Sequence, residues 1–162
     1  MNIFYLDSDP YIIPSMMVDK HVVKMILESA QLLSTAQRLL DNIDPGSEID
    51  LALYKATHVN HPCAIWAREN RKNYKWLVNH FVGLCAEYTY RYNKTHKTSL
   101  LYGWLAIPPE NIKRGEFTQP PSCMDKQYII SDDPIANYRN YYKYGKSHIH
   151  KWTKRDVPEW IL

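Results

Sequence analysis

The chain has no CxxC pair, no glycine-rich phosphate loop, no GxSxG and no set of kinase motifs. Its three cysteines, Cys63, Cys85 and Cys123, are odd in number and far apart. That argues against a disulfide framework and for a reducing compartment. No apolar run approaches the length that spans a bilayer, and MNIFYLDSDP lacks the basic and apolar regions of a signal peptide. A cytoplasmic protein without membrane contact is expected. Charge of one sign is also scarce: the net value is +3, which permits nucleic-acid contact without demanding it.

Apolar residues make up 45% and charged residues 23% of 162 positions. That profile suits one soluble domain, 1–162, with room for a real core. Thirteen tyrosines and five tryptophans are many for this length. They serve either as core or as flat surfaces for stacking on rings, and composition leaves both open.

Ile3-Phe4-Tyr5-Leu6 reads as a short strand or a packed tail, followed by turn residues Asp7-Ser8-Asp9-Pro10. Helical spacing predicts a first long helix over about 16–41, started by Pro14-Ser15 or by Asp19 and ended by Asp41-Asn42-Ile43-Asp44-Pro45-Gly46. A short helix is expected within 47–57. A second long helix opens at Asn60, a good N-cap with Pro62 in the first turn, and runs to about Asn93. Arg68, Glu69, Arg71, Lys72 and Lys75 occupy its polar positions. Residues 107–124 carry four prolines and no period, the mark of a long ordered loop. A third helix follows Asp133-Pro134, with Gly145 placed to end it. The fold class is therefore mainly all-α: two long helices, shorter helices and a long Pro-rich loop.

The segment DKHVVKMILESAQLLSTAQRLL aligns His21, Lys24, Glu28, Gln31 and Thr35 along one side of a helix. Such a stripe is either a strip facing water or the wall of a site. If apolar neighbours cover the rest of the helix, Glu28 is partly desolvated, which suits a carboxylate to proton transfer. His58, Asn60 and His61 cluster before the second helix, where ligands and anions bind readily. Their spacing, even with His21 added, matches no metal motif, so neither a metal nor another cofactor is expected. Cys63 reads as a buried thiol. Arg91 to Lys97 and Tyr138 to Lys146 interleave basic and aromatic residues. Lys94, Lys97, Arg139, Tyr142, Lys143 and Lys146 are candidates for phosphates and bases, unless these are solvated faces whose tyrosines complete the core.

The chain resembles the phage-type pyrimidine-dimer DNA glycosylases, small helical enzymes of the endonuclease V type. The likeness lies in Asp19-Lys20-His21 with Glu28 seven residues after the histidine, in Asn60-His61-Pro62 with Trp66, and in Tyr141-Tyr142-Lys143-Tyr144-Gly145-Lys146. The resemblance implies a helical fold that cleaves the N-glycosidic bond of a damaged pyrimidine, with possible lyase action at the abasic site. It implies that the N-terminal α-amine attacks the sugar C1′, with Glu28 as the assisting carboxylate and His21 beside it. Lys24, Gln31, His58, Asn60, His61 and Arg68 would line the substrate site. The chain departs from the family pattern at Leu27 and Gln31, where arginines are expected, and at Asn2, whose bulk discourages removal of Met1.

DNA is the expected partner. The alternatives are a non-catalytic or hydrolytic module for a free nucleotide or nucleotide-derived ligand, and a small protein-binding domain. Oligomeric state is not fixed by these residues.

Overall fold

The computed structural model describes residues 1–162. Its regular structure is helical: α1 Ile13–Met16, α2 Asp19–Leu40, α3 Glu48–Ala52, α4 Pro62–Glu69, α5 Arg71–Tyr92, α6 Tyr102–Leu105 and α7 Pro134–Asn140. Short 3₁₀ turns and one π turn, Tyr141–Gly145, complete it. The protein is all-α, with no strand. Ile3–Leu6 is the packed tail of the two expected readings, and all four residues are buried.

The centre is α2 against α4 and α5. On α2, Val22, Met25, Ile26, Leu32, Leu33 and Ala36 are buried. Each such side chain contributes on the order of 1.5–3 kcal/mol by leaving water, less for alanine. His21, Glu28 and Thr35 of the polar stripe are buried with them. The face toward water instead carries Lys20, Val23, Lys24 and Leu27. The stripe is thus largely a wall inside the molecule, and three aliphatic residues of the helix, Val23, Leu27 and Leu39, lie outside.

Several expected boundaries shift. The first long helix starts at Asp19, the later of its two expected starts, because Met17 and Val18 turn extended and bury their side chains. The helix within 47–57 shortens to Glu48–Ala52, capped by Ser47. The second long helix is two. Asn70 leaves the helix with extended backbone, and its side chain accepts the Asn73 N–H at 2.9 Å to start α5. Asn60 is not the cap before Pro62; His61 is, its Nδ1 accepting the Cys63 N–H at 3.1 Å. The third helix widens into a π turn after Asn140. Gly145 sits where a Cβ would come within 2.5 Å of the Tyr141 ring, so close packing requires the glycine.

The Pro-rich loop is ordered by side chains from the helices. The Trp66 indole donates to Thr118 O at 2.9 Å, and Asn73 bonds both the backbone and the hydroxyl of Thr118. Tyr138 accepts the Cys123 N–H and donates to Pro121 O. Much of the aromatic excess is core: Tyr5, Tyr74, Tyr138 and Tyr142 are fully buried.

Arg91 has no exposed side-chain surface. Its guanidinium bonds Asp19 at 2.8 Å, Glu87 at 3.2 Å and the carbonyls of Pro14 and Ser15. Asp19 also accepts from Thr153, and Glu87 from Arg155. Removing one partner leaves buried charge uncompensated. Arg91→Met is therefore expected to lower unfolding free energy by about 3–5 kcal/mol, read from guanidinium denaturation. A loss under 1 kcal/mol would show that the network is dispensable.

Candidate active site

The site assembles around Glu28 in the middle of α2, whose side chain is 10% exposed. The N-terminal segment runs to it through the core. Asn2 Oδ1 accepts the N–H groups of Ile3 at 2.7 Å and Phe4 at 3.1 Å, and Asn2 Nδ2 donates to Cys123 O at 2.8 Å. Phe4 takes the left-handed conformation, φ +59°, which a bulky residue adopts only when its surroundings impose it. This tight bend brings the Met1 α-amine to 3.8 Å from Glu28 Oε2. The same oxygen accepts the Asn2 N–H at 3.0 Å. Lys24 Nζ lies 3.4 Å from Oε1. Each carboxylate oxygen therefore faces a cation, one on half-buried Met1 and one on exposed Lys24.

His21 is buried one face of the wall away. Its ring stacks on Phe4, centroids 4.1 Å apart and 22° between planes, and its Nδ1 lies 2.6 Å from the Tyr142 hydroxyl. Burial, then Lys146 and Lys24, lower its pKa to about 3. Burial also keeps Tyr142 protonated, well above the ordinary phenol range. Tyr142 therefore donates to Nδ1, and the neutral ring carries its proton on Nε2. His21 holds Phe4 and the N-terminal bend; it bonds Tyr142 rather than Glu28.

His61, half-buried at the start of α4, is lowered by burial, the α-amine and His58, with Glu28 opposing. Gln31 is half-buried. Arg68 is half-buried, and its Nη1 has no hydrogen-bond partner. His58 and Asn60 are exposed; His58 has φ +48° and pairs with Thr57.

The candidate phosphate residues divide. Lys94 and Lys97 are exposed at the end of α5. Tyr142 is buried and spends its hydroxyl inside the protein. Arg139 is committed to Leu6 O, Asp7 and the face of Trp160. Lys143 lies over Tyr144, and Lys146 lies 5.0 Å over the Tyr141 ring and 5.9 Å over Phe4. A further cationic cluster, not foreseen as a group, surrounds a 420 Å³ cavity: Arg71, Lys72, Lys75 and Arg114, with Gly115 and Glu116. The amine beside Glu28 was expected from the family resemblance alone; the side-chain bonds of Asn2 and the approach of Cys63 to Cys123 were not foreseen, and only the apolar run at Ile3–Leu6 hinted that the N-terminus packs inward.

Residues 1–100 match the family described as pyrimidine dimer DNA glycosylase, well over half of the chain. The chain belongs to the pyrimidine dimer DNA glycosylase family. No curated protein and no solved structure matches it. The matched span holds the N-terminal bend, His21, Glu28 and His61. The function is DNA-glycosylase-like, and no helix of the protein is long and apolar enough to cross a membrane.

His21 and His80 are both kept neutral by burial, with pKa values of about 3 and about 4. Unfolded histidines protonate near pH 6.5. The unfolded chain then binds more protons below that pH, so this stability is complete above about pH 6.5 and is lost as pH falls toward 4. Denaturation midpoints are expected to drop between pH 7 and pH 5, with a shallower slope in His21→Gln. Equal midpoints at the two pH values would refute the assignment.

Proposed function

We propose that this protein cleaves the N-glycosidic bond of a damaged pyrimidine in DNA, using the N-terminal α-amine as nucleophile and Glu28 as the assisting carboxylate. The carrying observation is the α-amine 3.8 Å from Glu28 Oε2 on a buried, tightly bent segment. Nucleophile and base within reach of one another is the pattern that covalent catalysis requires. The position tolerates processing: if Met1 is removed, the Asn2 nitrogen, already 3.0 Å from Glu28, becomes the amine.

In this scheme Glu28 takes the ammonium proton, and the free amine attacks C1′. The C1′–N bond breaks, and its electron pair leaves with the base, which is then protonated. Positive charge develops on the sugar, where the carboxylate stabilises it. Glu28 returns its proton to O4′ as the C1′–O4′ bond breaks, and the ring-opened sugar is held as an iminium on the amine. Again a carboxylate, Glu28 then removes a C2′ proton, which expels the 3′ phosphate in the lyase step. His21 acts as a positioning residue through Phe4. Lys24 and Lys146 lie close enough to the site to meet phosphates, and exposed Lys94 and Lys97 add to the field that DNA meets. A duplex substrate must expose its target nucleotide, for which the aromatic lining is suited.

Glu28→Gln should lower turnover on ultraviolet-irradiated duplex DNA by roughly 100- to 10,000-fold while leaving binding nearly unchanged. Full turnover in that variant would end this reading. Borohydride added during reaction should trap a covalent DNA adduct on the N-terminal peptide, and peptide mass shows whether Met1 or Asn2 carries it. Base release without an adduct would instead assign the nucleophile to water.

A further inference from the structure

Cys63 opens α4 and Cys123 closes the Pro-rich loop, yet their Sγ atoms lie 3.5 Å apart. Together with a ring nitrogen of His61, the donor atoms all fall within 4.8 Å of one another. Cys63 is buried, while Cys123 and His61 are half-buried. Two thiolates on a tetrahedral zinc, with Zn–S of about 2.3 Å, stand about 3.8 Å apart. A disulfide needs a separation near 2.05 Å. The observed spacing suits two donors sharing a cation.

We propose that Cys63, Cys123 and His61 form a binding site for a zinc-class divalent cation, with one coordination position left to a fourth ligand.

Two soft thiolates and an imidazole are the donor set that such ions prefer over calcium or magnesium. The surroundings also fit. His61 Nδ1 accepts the Cys63 N–H at 3.1 Å, so the ring joins the cation only by exchanging this cap bond for the metal, while the two sulfurs are already placed. Tyr138 accepts the Cys123 N–H at 3.1 Å, and Asn2 donates to Cys123 O at 2.8 Å. Outer contacts of this kind hold ligands in orientation. A bound cation would clamp the loop end to the start of α4. Through Asn2 it would hold the N-terminal bend beside Glu28. The site does not depend on the glycosylase assignment.

Cobalt(II) added to the reduced full-length protein is the probe. One equivalent is expected to give a near-ultraviolet thiolate-to-metal charge-transfer band, which zinc(II) then displaces. Cys63→Ser and Cys123→Ser should each abolish the band, His61→Ala should weaken it, and Cys85→Ser should leave it intact. Circular dichroism shows whether each variant keeps its helices. On wild-type protein, zinc should slow iodoacetamide alkylation of Cys123 while leaving Cys85 unchanged. No charge-transfer band, a band that survives in both the Cys63 and Cys123 variants, or equal alkylation of Cys123 with and without zinc would overturn the proposal.

Discussion

Much of the architecture converges on the Arg91 guanidinium. It is wholly buried and reaches α1 through Pro14 and Ser15, α2 through Asp19, and its own helix through Glu87. Asp19 and Glu87 then hold the C-terminal tail through Thr153 and Arg155. Burial opposes the charge of both carboxylates, yet their partners hold both below the ordinary carboxylate range. A buried charge is tolerable only when its hydrogen bonds are complete, so this network restricts how these segments can pack. It sets the start of α2, two residues before His21.

From that start, α2 carries the rest of the site at helical intervals. His21 faces Phe4 and Tyr142, and Glu28, two turns on, faces the N-terminal nitrogen atoms. The N-terminal bend depends on Asn2 side-chain bonds and on the strained Phe4 backbone. Strain of that kind persists only where surrounding packing over-determines it. Here the packing is the aromatic group of His21, Tyr138, Tyr141 and Tyr142 around Phe4. The π turn belongs to the same arrangement, since it supplies Tyr141 and Tyr142.

Helix existence was legible because apolar residues recur at 3.6-residue intervals, and the loop because its prolines break them. Boundaries were less so. Asn70 looks like any polar helix residue until its bonds to Asn73 and Glu116 O are seen. Local pattern likewise could not say that Asn60 would stay in solvent while His61 capped α4. In the site, the interval from His21 to Glu28 was readable along one helix. Long-range neighbours were not: Asn2 to Glu28 and Cys63 to Cys123 are separations that no local period records. Tyr142 and Arg139 have the composition of a nucleic-acid surface, yet their polar groups are satisfied by His21, Val18, Leu6 and Asp7.

The sequence by itself determined a helical chain, the placement of a histidine and a glutamate two turns apart, and a likeness to a glycosylase family. Periodicity and short-range spacing carry that information, because they act within one helix. Tertiary structure decided which face of α2 meets water, which cations stay free, and what stands beside Glu28. Those outcomes depend on burial and on partners distant in the chain. The polar stripe turned inward because the buried N-terminal bend brings partners to it, leaving Val23 and Leu27 to the solvent.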